Sequence, residues 1–93
     1  MFKTLEELIA VIRQRKVSSA EESYTKKLLN DKKLSIEKVK EEIAELIDAI
    51  EKNTNKVHEA ADVLYHLMVL LEANDIKIED VMEELNKRKG ENF

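Results

Sequence analysis

Ninety-three residues without a proline and with a single glycine, Gly90, leave few places where the backbone can reverse tightly. Strand-rich domains of this size usually need several such places, whereas helices joined by short polar connections need few. The expected fold class is therefore all-α, with residues 1–93 forming a single domain around one small core. The chain has no cysteine, so neither a disulfide nor a thiolate metal site can staple it. A metal would have to be held by oxygen or imidazole, and a second chain is an attractive source of further burial.

Hydrophobic spacing divides the chain into helices. Thr4 and Glu7 form a capping-box pattern, and Leu5, Leu8, Ile9 and Ile12 recur at helical intervals, predicting a helix over residues 5–15. Residues 16–20 read as a loop, Ser19 with Glu22 as a second box, and Tyr24 to Asn30 as a short helix. Ser35 is expected to cap a third helix whose stripe of Val39, Ile43, Leu46 and Ile50 stops at Asn53-Thr54-Asn55. Residues 56–73 are apolar around most of the helical circumference, which requires cover on several sides and makes this the central helix. A last helix over residues 79–89 would turn Val81, Met82 and Leu85 inward, with Gly90 as its C′ residue. The long segments together predict a helical bundle.

A formal net charge of -4 argues against nucleic acid or an anionic membrane as partner. No apolar run reaches the roughly 18 residues of a membrane span, and the opening residues lack a signal-peptide layout, so the expected location is cytoplasmic.

Acidic residues carry the chemistry. Glu41, Glu42 and Glu45 lie within little more than one turn of the third helix; alone, they read as a solvated polar face. Glu59 and Asp62, one turn apart, interrupt a helix that is otherwise almost wholly apolar, where acids are costly unless paired or coordinated. An exposed strip, or pairing with Lys38, Lys40 or Lys56, would account for them without a ligand. Helices packed about 8–10 Å apart would instead let the two sets of acids share a hard cation such as Mg²⁺, whose preferred ligands are oxygens and substrate phosphates. His58 is expected at the rim. His66, one turn beyond Asp62, reads as a structural histidine able to support Asp62 from behind. Ser23, Tyr24 and Thr25 with Lys26 and Lys27, and Arg13 and Arg15 with Lys16, are weak phosphate signals on their own.

The pattern Glu41-Glu42-x-x-Glu45 followed by Glu59-x-x-Asp62 resembles the metal motif of the all-α, MazG-like nucleotide pyrophosphatases. More of the chain is similar to one branch, the phosphoribosyl-ATP pyrophosphohydrolases of histidine biosynthesis. The likeness runs through Ile12-x-x-Arg15-Lys16, Ser23-Tyr24-Thr25-x-Lys27-Leu28-Leu29, Lys38-Val39-x-Glu41-Glu42, Glu59-Ala60-Ala61-Asp62-Val63-x-Tyr65-His66-Leu67 and Asp80-Val81-Met82-x-Glu84-Leu85. It departs at Lys40, and near Asp31 and Asp75, where the family often has glycine.

This resemblance implies Mg²⁺-dependent hydrolysis of phosphoribosyl-ATP to phosphoribosyl-AMP and pyrophosphate by a MazG-like bundle completed by homodimerisation. It implies Glu42, Glu45, Glu59 and Asp62 as metal ligands, and a catalytic role for the triplet Glu41, Glu42 and Glu45, one of which would act as base. Arg15, Ser23, Tyr24, Thr25, Lys27 and Lys38 would contact substrate. The rivals are a MazG-like enzyme acting on another nucleoside triphosphate and a non-enzymatic helical dimerisation module.

Overall fold

Five helices form in the computed structural model, which describes residues 1–18, 23–91 and 93: α1 (Lys3–Val17), α2 (Tyr24–Asn30), α3 (Lys32–Lys52), α4 (Lys56–Ala73) and α5 (Ile78–Arg88). The all-α bundle is as expected. α4 touches α1, α2 and α3, and packs most extensively along α3. Its second half supplies Met68, Val69 and Ala73 to a core that also contains Ile12 of α1 and Leu28 and Leu29 of α2. Ile12, Leu28 and Val69 are wholly buried, each such burial stabilising the fold by about 1.5–3 kcal/mol before entropy is counted. No helix among the described residues is long and apolar enough to cross a membrane.

The helix ends differ from expectation in instructive ways. α1 starts at Lys3, so Thr4 lies inside it, and the N-cap is Phe2, which makes no side-chain capping bond. The Ser19–Glu22 box falls outside the described residues. α2 is capped by Ser23, whose Oγ accepts from the Lys26 backbone N–H at 3.1 Å. Ser35 is not a cap. Asp31 takes that place, accepting from the Leu34 N–H at 3.1 Å, and α3 begins a turn early. The buried Ser35 hydroxyl instead donates to the Leu28 carbonyl at 2.6 Å, tying α3 to α2.

Gly90 does not have the left-handed backbone of a C′ residue. That conformation belongs to Asn53 (φ 56°), Asn55 (φ 45°) and Asp75 (φ 57°). At Asn53 and Asp75 the hydrogen bonds are those of a Schellman motif: Asn53 N–H to Ile50 O with Thr54 N–H to Ala49 O, and Asp75 N–H to Glu72 O with Ile76 N–H to Leu71 O. Asn and Asp tolerate left-handed backbone better than most L-residues, which is how the chain stops two helices without glycine.

α5 is less inward than its pattern suggests, because little of it packs on the rest of the chain. Ile78 reaches the core, Val81 is half-buried, and Met82 and Leu85 are exposed. Arg13 anchors the helix start, pairing with Glu79 at 2.6 Å and Glu72 at 2.7 Å, while Lys16 pairs with Asp75 at 2.7 Å. α4 is central, yet Val57 and Leu64 remain exposed, as do Ile36, Ile43, Ile47 and Ile50 of α3.

Candidate active site

The three-residue connection Asn53-Thr54-Asn55 folds α4 back along α3, and this pairing brings the two acidic motifs together. One carboxylate oxygen from each of Glu42, Glu45 and Glu59 lies within 4.8 Å of the others. A second set, His58, Glu59 and Asp62, meets the same limit, so Glu59 belongs to both. Among the described residues, Glu42 Oε2 and Glu59 Oε2 are buried without a hydrogen-bond partner. Burial, then the neighbouring Glu45 and more weakly Asp62, pushes the Glu42 carboxyl above its ordinary range, with His66 opposing. Glu59 is raised in the same way by burial, Glu45 and Asp62, opposed by His58.

Like charges converging with bare buried oxygens are unstable unless a proton or a cation joins them. Oxygens in an octahedral Mg²⁺ shell, about 2.1 Å from the ion, stand about 3–4 Å from one another. The donor set is oxygen-rich and its oxygens converge within 4.8 Å, so the residues fit that ion.

Glu41 stands apart from both sets: it is exposed and 3.4 Å from Lys38 Nζ. It still lines the groove between α3 and α4, with Glu45, Asp48, Thr54, Asn55 and Glu59. His66 is buried, and its bond to Asp62 runs to the backbone carbonyl, Nδ1 to O 3.0 Å, not to the carboxylate. The imidazole near the carboxylate is that of exposed His58, with Nε2 3.5 Å from Asp62 Oδ2. The other nitrogen of His66 faces the Tyr24 hydroxyl at 3.1 Å.

Of the remaining residues expected to contact substrate, Thr25 bonds Tyr65 through their hydroxyls, and the Ser23 hydroxyl is occupied as a helix cap. Lys38 lies between Glu41 and Tyr24, both of which favour its charged form. Arg15 and Lys27 carry no ion pair among the described residues, whereas Arg13 and Lys16 are engaged by Glu72, Asp75 and Glu79.

A family profile for phosphoribosyl-ATP pyrophosphohydrolase matches residues 5–89. The chain is 44% identical over 94 residues to a phosphoribosyl-ATP pyrophosphatase of Methanocella arvoryzae, covering 96% of this chain and 99% of that protein. A similar protein of that name from Haloarcula marismortui is 41% identical over 90 residues, with 91% and 92% covered. This chain belongs to the phosphoribosyl-ATP pyrophosphohydrolase family.

Some relatives of the family are larger. The chain is 44% identical over 86 residues to the histidine biosynthesis bifunctional protein HisIE of Pyrococcus furiosus, but spans only 41% of its length. Two further residues stand beside the expected ones, His58 beside Asp62 and Tyr65 beside Tyr24 and Thr25. His58 follows directly from its spacing, since a residue one turn before Asp62 shares its face. Tyr65 could not be placed from spacing alone, because its partners Tyr24 and Thr25 lie on α2.

Proposed function

We infer that this protein hydrolyses phosphoribosyl-ATP to phosphoribosyl-AMP and pyrophosphate, the second step of histidine biosynthesis, as a Mg²⁺-dependent cytoplasmic enzyme. Family membership supports the substrate. The observation that carries the chemistry is the pair of buried, partnerless oxygens on Glu42 and Glu59 within an otherwise carboxylate-lined cluster.

Glu42, Glu45, Glu59 and Asp62 are the residues that would hold the ion. When bound, Mg²⁺ supplies positive charge to the triphosphate oxygens. Water adds across the anhydride between the α and β phosphates, the bridging P–O bond breaks, and pyrophosphate leaves. A glutamate of the α3 triplet takes the proton from that water. Glu41 suits this role because it lines the groove while standing outside both sets of converging oxygens. Arg15, Lys27 and Lys38 offset phosphate charge, Arg15 as a bidentate fork and the lysines as point charges. Ser23, Tyr24 and Thr25 line the start of α2 on the substrate side, and His66 braces Tyr24 and the Asp62 backbone.

The working form is a homodimer. Its motive is the exposed apolar face of Ile36, Ile43, Ile47 and Ile50 on α3 with Val57 and Leu64 on α4, more apolar surface than a single small chain is expected to leave in water.

Pyrophosphate release measured in parallel with phosphoribosyl-ATP, dCTP and dUTP, with and without Mg²⁺, tests the assignment. Metal-dependent turnover of phosphoribosyl-ATP is expected. Efficient turnover of a deoxynucleotide with none of phosphoribosyl-ATP would overturn the substrate, and no saturable Mg²⁺ binding would overturn the enzyme.

A further inference from the structure

His66 has two hydrogen-bond partners, and together they determine where its proton sits. The Asp62 backbone oxygen, 3.0 Å from Nδ1, can only accept, so Nδ1 carries the hydrogen. In the neutral ring Nε2 is then an acceptor, and the Tyr24 hydroxyl 3.1 Å away must be the donor. The ring has little freedom to escape this arrangement. It is 7% exposed, Tyr65 lies edge-on to it with centroids 5.0 Å apart, and Tyr24 is edge-on at 5.9 Å. Tyr65 is itself stacked against Tyr24 and bonded to Thr25.

We propose that His66 is a positioning residue that commits the Tyr24 hydroxyl hydrogen to its own Nε2, so that the Tyr24 oxygen meets substrate only as a hydrogen-bond acceptor. Tyr24 is 49% exposed, and its oxygen therefore selects an O–H or N–H of the ligand. Phosphate oxygens also only accept, so Tyr24 is not a phosphate contact. The matching donor is a ribose hydroxyl or an amino group on the adenine edge. The substrate half of this proposal rests on the enzyme reading, whereas the proton placement does not.

Long-range ¹⁵N histidine spectra of the metal-free protein, at mildly alkaline pH, test the first half. A pyrrole-like Nδ1 and a pyridine-like Nε2 are expected for His66, with the Nε2 resonance moving in Tyr24→Phe. An Nε2–H tautomer, or an imidazolium with both nitrogens protonated, overturns it.

Kinetics test the second half. Losing one neutral hydrogen bond, about 1–1.5 kcal/mol, corresponds to a KM about tenfold higher. That rise is expected in Tyr24→Phe and His66→Asn with kcat less affected, and the double variant should be no worse than either single. His66→Gln, whose amide oxygen can accept from Tyr24, should recover most of the loss. Additive losses, or no recovery, overturn the positioning role. Analogues lacking a ribose hydroxyl or the exocyclic amino group locate the donor, since Tyr24→Phe should have no effect on the analogue that lacks it. A Tyr24→Phe effect unchanged with every analogue overturns the donor assignment. Absence of phosphoribosyl-ATP turnover by the unmodified protein removes the enzyme reading and the substrate half together, leaving the proton placement to the spectra.

Discussion

Glu42→Gln should stabilise the metal-free protein and weaken its response to Mg²⁺. The Glu42 side chain is 7% exposed, its Oε2 has no partner, and oxygens of Glu45 and Glu59 lie within 4.8 Å. Two unit charges at that separation repel by about 3.5 kcal/mol at an effective dielectric near 20. Glu45 is exposed and its charge is screened by water, so the relief on neutralising Glu42 is about 1–2 kcal/mol. In a domain of this size that raises Tm by roughly 5–10 °C in EDTA.

Magnesium reverses the comparison. At one hundred times its dissociation constant, a ligand adds about 2.7 kcal/mol to the state that binds it, and the glutamine variant should forgo much of that gain along with activity. Melting curves followed by circular dichroism, in EDTA and in Mg²⁺, read both effects. A pH series adds a sign. Because the folded-state carboxyl of Glu42 is raised above its ordinary value of 4.5, the folded protein holds a proton that the unfolded chain has released. Metal-free stability should therefore fall as pH rises from about 4.5 through the raised value, and the variant should flatten this slope. A variant that melts below the parent in EDTA, or keeps the full Mg²⁺ shift, refutes the reasoning.

The Arg13 guanidinium holds the Glu79 carboxyl down at about 2, so that pair's contribution is present above pH 4.5 and is lost as pH falls through about 2; Glu79→Gln should make acid unfolding less steep there. Ser35→Ala removes the bond to the Leu28 carbonyl and should destabilise by about 1–2 kcal/mol in urea titration. Asn53→Gly should be neutral or stabilising by up to about 1 kcal/mol, and Asn53→Val destabilising by about 1–2 kcal/mol, because only the former suits left-handed backbone. Ile47→Lys, on the exposed face of α3, should shift sedimentation toward monomer without loss of helix by circular dichroism.

Helix existence was legible because periodicity survives any packing: the α4 limits, 56 and 73, match the sequence expectation residue for residue. Caps were less legible, since Ser and Thr serve several local roles. Ser35 had the right chemistry to cap α3 but was drawn inward to a carbonyl on another helix. The acids of the cluster were legible as a group because Glu59 and Asp62 stood out on an apolar helix. The contact behind them was not: His66 was placed beside Asp62 by spacing, but His66 and Tyr24 are 42 residues apart in the chain, and nothing local encodes their bond. The outward position of Met82 and Leu85 was illegible for a related reason, since an apolar stripe does not specify which surface will cover it.

The turn between α3 and α4 also acts as a ruler. Asn53 and Asn55, both left-handed, fix the phase at which α4 begins, and Glu59 and Asp62 follow within its first two turns. One additional residue in that connection would rotate everything after it by about 100° relative to α3. The core half of α4 would resist, so the slip would concentrate in the first turns and carry Glu59 away from Glu42 and Glu45. Length at this turn is thus under tighter constraint than residue identity: a side chain there can be exchanged for another that tolerates left-handed backbone, but the count cannot change.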